Sequence, residues 1–469
     1  MNSGILEKIF RLRENKTTVK TEIIAGITTF ITMAYIIFVN PSILKMSGMN
    51  AANALGDTAV NYNVFNDPVV GSVMVATCLA AFIGTLIMAL YANCPYAQAP
   101  GMGLNAFFTF TVVMTMHYTW QQALAIVFLS GIVSIIVTVT RARRAIVDAI
   151  PESMKHAVSA GIGLFIAFIG LLNAGIIVKN SSTTLSFGDF KAPSTLLAII
   201  GLFITGILIA RKIKGGMLLG ILITTIIGIP MKVVIMPSGF VPFSMPPDLS
   251  HTLFKMDFTG LMIASGATDL WHGIWALLTL IIAFSFVDIF DTIGTLIGTG
   301  TKAKMLDENG RIIRLDKALV SDSVATSIGA LLGTSNTTTY IESAAGIMEG
   351  GRTGLTALTT AVLFLAALFV APIAGLVPAA ATAPALIIVG IFMMSEVKEI
   401  DFGDFTEAMP SILTAVIMPF SFGIANGIAV GFIIYPILKI AVGKAKQVHP
   451  IIYLLAVLFT IRFITMAGK

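Results

Sequence analysis

The sequence predicts an all-α integral membrane protein, and three observations carry this prediction. Of the 469 residues, 56% are hydrophobic and only 11% are charged, whereas soluble domains carry roughly 25% charged residues. Apolar runs of about 15 to 25 residues recur along the chain, as helices need to cross a hydrocarbon core of roughly 30 Å. The strands of a barrel would instead give short alternating segments. The first run leads straight into the others, so we expect no cleavable signal peptide.

The chain divides into fourteen predicted membrane spans, which we number in chain order. The first seven are 22–45, 69–92, 101–116, 120–140, 157–178, 194–210 and 215–235. The second seven are 272–299, 318–333, 340–350, 354–376, 380–396, 408–424 and 426–441. A further apolar run covers 450–466, and the sequence leaves open whether it crosses the membrane or lies along its inner surface.

The distribution of basic residues predicts how these spans are oriented. The amino-terminal tail and the loops after even-numbered spans, with Lys439 near the end of span 14, hold 22 of the 29 Lys and Arg residues, including the run Arg141-Ala-Arg-Arg144. The loops after odd-numbered spans, with Lys45 and Lys232 near the ends of spans 1 and 7, hold five. Cytoplasmic loops are enriched in Lys and Arg. We therefore expect a multi-pass protein of the inner (cytoplasmic) cell membrane, embedded in the lipid bilayer, with a cytoplasmic amino terminus. The net charge of +5 does not indicate a nucleic-acid partner, because the basic residues lie at span ends.

The two halves of the chain resemble each other. The run IPESMKHAVSAGIGLFIAFIG from Ile150 is similar to VPAAATAPALIIVGIFMM from Val377, and one spacing recurs in two glycine pairs, Gly216/Gly220 and Gly427/Gly431. Seven spans in each half reverse the orientation of the second copy. The sequence thus predicts a 7+7 inverted repeat, which is typical of secondary transporters. The glycine faces would suit a smooth interface between two bodies that move against each other.

Spans 3 and 10 are predicted to be broken. Residues 94–108, CPYAQAPGMGLNAFF, lead into span 3, and residues 333–346, GTSNTTTYIESAAG, lead into span 10. Irregular backbone at membrane depth persists only where protein or a water-filled cavity satisfies its polar groups. Two such segments in corresponding positions indicate a transporter binding site, where helix amino termini aim N–H groups at a ligand. The alternative is that both segments are ordinary loops.

Three acids in the predicted spans are candidates for a function. Asp288, Asp291 and Thr295 share one face of span 8, and Glu342 lies at the start of span 10. A carboxylate in a bilayer is costly and is by default functional. With no basic residue predicted at the same depth, these acids must be protonated, hydrogen-bonded, or paired with a ligand or cation. The alternative is that they cap or brace a helix.

At these residues the chain resembles the AzgA-like purine permeases, a branch of the nucleobase–cation symporter-2 superfamily. The matching motifs are Ala25-Gly-Ile-Thr-Thr-Phe-Ile-Thr-Met-Ala-Tyr35, Ala99-Pro-Gly-Met-Gly-Leu-Asn-Ala-Phe-Phe108, Asp288-Ile-Phe-Asp-Thr-Ile-Gly-Thr295, Thr337-Thr-Thr-Tyr-Ile-Glu-Ser-Ala-Ala-Gly346 and Glu349-Gly-Gly-Arg-Thr-Gly-Leu355. The resemblance implies a core domain of spans 1–4 and 8–11 and a gate domain of spans 5–7 and 12–14 that often forms a homodimer. In this chain we expect a cytoplasmic tail at 1–21, a core in two parts at 22–140 and 272–376, and a gate in two parts at 141–240 and 377–445. We expect an extracellular loop at 241–271 and a carboxyl-terminal apolar segment at 446–469.

The resemblance also implies a substrate site between spans 3 and 10, facing span 8. Asp291 takes the place of the span 8 acid of the uracil and xanthine carriers, and Glu342 takes that of their span 10 acid or amide. The Gln-Asn-x-Gly signature of the xanthine branch is replaced by Glu342-Ser-Ala-Ala-Gly346, which disfavours xanthine and uric acid. The candidate substrate-binding residues are Asn105, Phe107, Asp291, Thr339, Tyr340 and Glu342.

The expected function is proton-coupled uptake of hypoxanthine, adenine or guanine. A purine is flat and edged with donors and acceptors, so carboxylates and the Asn105 amide can bind its edge. Phe107, Phe108 or Tyr340 can stack on the ring or simply pack. Asp291, with Asp288 as its partner, is the candidate for proton coupling. The alternatives are an uncoupled facilitator, an anion exchanger or a channel. The sequence contains no nucleophile–base constellation, metal cluster or phosphate loop, so we expect no enzyme, metal or cofactor.

Overall fold

The computed structural model describes residues 3–140, 149–237, 240–261, 270–302 and 313–466. The basic run at 141–144 lies outside these ranges. Helices of the first half are Ser3–Phe10, Val19–Met33, Ile36–Leu44, Pro68–Ile87, Met102–Ala106, Trp120–Val139, Glu152–Asn173, Pro193–Ala210 and Gly216–Gly228. Those of the second half are Leu270–Lys302, Leu315–Leu332, Ser343–Met348, Gly354–Ala367, Ala371–Leu376, Ala379–Met394, Phe405–Phe420, Ile424–Ala441 and Pro450–Met466.

Each predicted span has a helical counterpart, with some ends displaced. Span 5 begins at Glu152, directly after Pro151, and span 7 ends at Gly228 rather than at 235. Within the described residues, nine helices are long and apolar enough to cross a membrane, and four further apolar helices are shorter. The carboxyl-terminal helix Pro450–Met466 is one of the shorter ones. It packs on span 14, where the rings of Phe432 and Phe459 lie 6.2 Å apart.

Span 1 contains a break that the sequence analysis does not predict. Its first helix ends at Met33 and its second begins at Ile36, with Ala34 and Tyr35 between them. The bonds from Ile37 N to the Ala34 carbonyl and from Phe38 N to the Tyr35 carbonyl, both 3.1 Å, form a tighter turn than an α-helix. The break therefore occurs without a glycine or proline at the turn itself.

Spans 3 and 10 are joined by a short antiparallel strand pair. Strand β1 is Gln98–Pro100 and strand β4 is Thr337–Thr339, with Gln98 opposite Thr339 and Pro100 opposite Thr337. The other two strands, β2 (Ile177–Asn180) and β3 (Thr184–Phe187), form a hairpin between spans 5 and 6. Because β1 and β4 are antiparallel, the helices that follow them leave the pair in opposite directions, as an inverted repeat requires.

The helices pack in two sets. Spans 1, 2, 4, 8, 9 and 11 pack mainly against one another, with span 9 against spans 2 and 4 and span 11 against spans 1 and 2. Span 5 packs chiefly against spans 12 and 13, and span 6 against spans 7 and 12. The strand pair and the short helix of span 10 lie within the first set, against spans 1, 2, 8 and 9.

The glycine pairs of the repeat do not line an interface between these two sets. A Cβ on Gly220 would meet the Thr205 side chain of span 6, and one on Gly427 would meet the Thr414 carbonyl and Met418 of span 13. Gly216 and Gly431 likewise pack on spans 6 and 13. The expectation that these faces suit a sliding surface is therefore wrong. They allow close packing between neighbouring helices of one set, the commonest use of small residues in membranes.

Glu22, in the first helix of span 1, is fully buried and caps span 11. Its carboxylate accepts bonds from the backbone N–H groups of Arg352 (2.8 Å), Thr353 (3.2 Å) and Thr356 (3.1 Å), and from the hydroxyls of Thr353 (2.9 Å) and Thr356 (2.6 Å). These N–H groups are among those that a helix leaves unpaired at its amino terminus, and the helix dipole there favours an anion. Glu22 thus ties the first span to the eleventh.

Candidate binding site at the two broken spans

The candidate site is built around the junction of β1 and β4. Two further backbone bonds extend the strand pair, from Gly101 N to the Asn336 carbonyl (2.9 Å) and from Tyr340 N to the Ala97 carbonyl (3.0 Å). This pairing supplies hydrogen bonds to backbone N–H and C=O groups that would otherwise be unpaired at membrane depth. Pro100 and Gly101 end the extended segment, and the helix of span 3 begins at Met102. The two polar stretches identified in the sequence are therefore in direct contact.

Glu342 lies immediately before the span 10 helix, which begins at Ser343. Its side chain is partly exposed, and its Oε1 accepts a 2.6 Å hydrogen bond from the hydroxyl of Tyr35 in span 1. This distance is at the short end of the range for O–H···O hydrogen bonds. The residue is therefore partly exposed, while its carboxyl group is held by a bond to span 1.

Asp291 and Asp288 lie on the span 8 helix at different depths of burial. Asp288 is fully buried, whereas Asp291 is partly exposed. The neighbouring Thr292 joins this helix to β4, because its hydroxyl lies 2.8 Å from that of Thr338. The carboxylates of Asp322 and Glu342 are close enough to Asp291 for their charges to act on it. Span 8 therefore faces the junction, with Asp291 as its accessible acid.

The remaining candidates are buried and largely engaged with neighbouring residues. The amide oxygen of Asn105 accepts a bond from the Ser335 hydroxyl, and the Phe107 ring packs 4.6 Å from that of Phe284. Thr339 donates its N–H (2.9 Å) and its hydroxyl (3.0 Å) to Asp322. The Tyr340 hydroxyl donates to the Pro100 carbonyl at 2.5 Å. These residues hold the junction together, whereas Asp291 and Glu342 beside it are only partly buried.

Two residues at this junction are absent from the sequence-based candidates. Asp322 is fully buried in span 9 and fixes Thr339, although a carboxylate in a predicted span is the very signal that marks Asp288 and Asp291. Tyr35 ends the motif that begins at Ala25, but its contact with Glu342 joins residues 307 apart in the chain. No local pattern in the sequence reports a pairing over that distance.

Comparison with known proteins identifies the family. The sequence model of the Permease family matches residues 20–430. The chain belongs to the Permease family. It is 47% identical over 463 residues to MJ0326 of Methanocaldococcus jannaschii, covering 99% of both chains. It is 42% identical to the adenine permease AdeP of Escherichia coli, covering 98% of this chain and 96% of that one. It is 40% identical to the guanine/hypoxanthine permease PbuO of Bacillus subtilis, covering 97% and 99%.

Solved structures show the same fold. The transmembrane domain of the cyanobacterial bicarbonate transporter BicA matches with a TM-score of 0.58 at 15% identity, covering 88% of this chain and 97% of that one. Murine Slc26a9, an anion transporter, matches with a TM-score of 0.60 at 11% identity, covering 94% and 72%. The protein is thus a multi-pass plasma-membrane transporter with an inverted-repeat fold, and it is not an enzyme.

Proposed function

We propose that this permease takes up purine nucleobases (hypoxanthine, adenine or guanine) by proton symport. The observation that carries the proposal is the pair of partly buried acids, Asp291 and Glu342, beside the junction of two broken spans. Relatives named as adenine and guanine/hypoxanthine permeases, each matched over nearly the whole chain, support the substrate class.

Glu342 is proposed to bind the edge of the base. A carboxylate accepts N–H bonds on its two oxygens, and each of the three bases carries N–H donors on its edge. The position of Glu342 directly before the span 10 helix supports its ionised form, because the helix dipole favours an anion there. Asn105, Phe107, Thr339 and Tyr340 are proposed to shape the site around the base, since their contacts fix the strand pair and the start of span 3.

Asp291 is proposed to carry the proton. It lies on a continuous helix, near two other carboxylates, and closely spaced acids share protons more readily than isolated ones. Asp288, one turn away and fully buried, is its proposed partner or brace. Thr292, the residue after Asp291, connects this helix to β4. A change of charge on Asp291 can therefore affect the strand pair beside the proposed base site through this neighbouring contact.

Alternating access is proposed to move a core (22–140 and 272–376) against a gate (141–240 and 377–445). Aromatic contacts across this boundary support the proposal: the Phe110 and Phe165 rings lie 6.3 Å apart, and those of Phe286 and Phe432 lie 6.4 Å apart. Apolar contacts lack the directional demands of hydrogen bonds, so one face can shift over another. The amino terminus and the basic loops are proposed to be cytoplasmic, with 241–271 extracellular, and two copies are proposed to pair through the gate.

Uptake into proteoliposomes tests the proposal. Purified protein should accumulate labelled hypoxanthine, adenine or guanine against its gradient when the outside is made acidic, and a protonophore should abolish that accumulation. Accumulation that persists with the protonophore would refute proton coupling. Equilibration without accumulation would indicate an uncoupled facilitator, and failure of all three bases to enter or compete would refute the substrate class.

A further inference from the structure

The contact between Tyr35 and Glu342 carries an inference beyond the residues of the proposed binding site. Tyr35 is almost completely buried, and its hydroxyl lies 2.6 Å from Glu342 Oε1. Among the described residues, Tyr35 is the only side-chain donor to this carboxylate. The buried Tyr35 hydroxyl is therefore in a position to fix the orientation of the Glu342 carboxyl group.

The other nearby hydroxyl groups have acceptors other than the Glu342 carboxylate. Thr32, one turn earlier in span 1, donates to the carbonyls of Thr28 (3.0 Å) and Thr29 (2.8 Å) in its own helix and lies 3.5 Å from the backbone carbonyl of Glu342. Tyr340, two residues before Glu342, donates to the Pro100 carbonyl across the strand pair. The two tyrosines at the junction therefore have different partners: Tyr340 joins β4 to β1, and Tyr35 joins span 1 to the carboxylate.

The break in span 1 occurs at the residue that makes this contact. Tyr35 separates the helices Val19–Met33 and Ile36–Leu44, and its own carbonyl accepts bonds from the N–H groups of Phe38 and Val39, both 3.1 Å. The Tyr35 side chain extends from this turn to Glu342, which lies directly before the span 10 helix. The turn in span 1 and the start of the span 10 helix therefore meet at one carboxylate.

We propose that Tyr35 is the positioning residue for Glu342: its hydroxyl occupies one lone pair of Oε1 and fixes the orientation in which the carboxylate is presented to the N–H edge of the substrate. The inference rests on the proposed function, in which Glu342 binds a purine. Fixing the carboxylate before binding reduces the ordering cost that the base must otherwise overcome. Tyr35 therefore affects affinity through Glu342 and makes no contact of its own with the base.

A double-mutant cycle on the full-length protein tests this inference. The dissociation constants of adenine and hypoxanthine are measured for wild type, Tyr35→Phe, Glu342→Gln and the double variant. Hydrogen bonds to charged groups correspond to roughly tenfold or more in affinity, so Tyr35→Phe should weaken binding at least tenfold while leaving the maximal uptake rate nearly unchanged. In the Glu342→Gln background the same change should add less than about twofold, because coupled residues are non-additive.

Tyr118→Phe is the matched control, since it removes a buried hydroxyl that donates to the Leu261 carbonyl at 3.4 Å. It should change neither affinity nor rate by more than about twofold. If Tyr35→Phe weakens binding equally in both backgrounds, or not at all, Tyr35 merely packs and the inference is overturned.

Infrared spectroscopy tests the contact between Tyr35 and Glu342 in the absence of substrate. The infrared band of the Glu342 carboxyl group is identified as the band that Glu342→Gln removes. It should shift in Tyr35→Phe and stay in place in Tyr118→Phe; an unmoved band in Tyr35→Phe refutes the contact. If wild-type protein binds no purine, the proposed function fails, and the band shift still decides whether Tyr35 positions the acid.

Discussion

Two pairs of repeat-related spans are joined in opposite ways. Spans 3 and 10 meet through paired strands and a set of buried threonine, asparagine and tyrosine side chains. Spans 5 and 12 meet through glycines: a Cβ on Gly163 would lie 2.6 Å from the Gly390 carbonyl oxygen, and one on Gly390 would collide with Gly163 in turn. Each of these glycines lies twelve residues after the proline that opens its helix, Pro151 or Pro378.

The inverted repeat therefore relates two junctions that are built from different kinds of contact. At spans 5 and 12, two helices bring their backbones into close contact at Gly163 and Gly390, with the Cβ atoms of Ala167 and Met393 packed beside them. At spans 3 and 10, the backbone is extended and its buried polar side chains bond to one another, and there we propose that the base binds. Substitutions at the glycine crossing should therefore impair folding, whereas substitutions at spans 3 and 10 should mainly impair binding and transport and cost less stability.

The largest effect is expected at the glycine crossing. Gly163→Leu places a branched side chain against the backbone of span 12, which cannot move aside, and overpacking of this kind costs on the order of 3 kcal/mol or more. We expect loss of monodisperse protein in detergent, measured by size-exclusion chromatography. Gly206→Leu in span 6 is the matched control, because a Cβ there has nothing within 4 Å. Equal yields of the two variants would show that the crossing is not tightly packed.

A large effect of another kind is expected at Asp291. Asp291→Asn imitates a permanently protonated acid, so it should keep base affinity within about threefold of wild type and retain exchange of base for base. It should lose accumulation driven by a proton gradient in proteoliposomes. Loss of binding in Asp291→Asn, together with intact binding and lost proton coupling in Glu342→Gln, would mean that the two acids have the reverse of the proposed roles.

Glu342→Gln should weaken base binding roughly 10- to 100-fold, because an amide offers one acceptor oxygen where a carboxylate offers two and because hydrogen bonds to a charged group are lost. Equilibrium binding of labelled hypoxanthine measures the change. Glu349→Gln is the control: Glu349 lies at the other end of the same short helix and pairs at 2.6 Å with the exposed Lys214. If the two variants bind equally well, Glu342 is not the binding acid.

The smallest effect is expected from one hydroxyl of the strand junction. Thr338→Val keeps the shape of the side chain and removes its bond to Thr292, at a cost of about 1 kcal/mol plus the burial of an unpaired Thr292 hydroxyl. A thermal melt should show a drop of a few degrees. The double variant with Thr292→Val should recover much of the loss, since removing both partners leaves no unpaired group. A single variant as damaging as Gly163→Leu would contradict the proposed difference between the junctions.

The sequence predicts the spans and the two polar breaks because each depends on local chemistry. A long apolar run is stable only in lipid or in the protein interior, and a polar run between apolar ones needs hydrogen-bonding partners. The pairing of β1 with β4 follows from the repeat, but their register does not. It depends on which side chains fit across the junction, such as Thr339 against Asp322 in span 9. Asp322 itself could have been found, since it is an acid in a predicted span.

The interpretation of the glycine pairs failed for a related reason. Spacing shows that Gly216 and Gly220 share a helix face, but it cannot say which helix covers that face, and the partner is the neighbouring span 6. The break in span 1 was equally invisible, because the turn at Ala34 and Tyr35 contains no residue that demands it. It is formed where the Tyr35 hydroxyl meets a carboxylate from the far end of the chain.

The burial of Glu22 has a consequence for how the protein is made. The acid belongs to the first span to leave the ribosome, yet all of its hydrogen-bond donors among the described residues lie in 352–356. Glu22 is the first residue of predicted span 1 and lies in the first turn of its helix, so at the membrane boundary water can solvate the carboxylate until span 11 arrives. We therefore expect this end of span 1 to reach its final packing only after the second half of the repeat has been made.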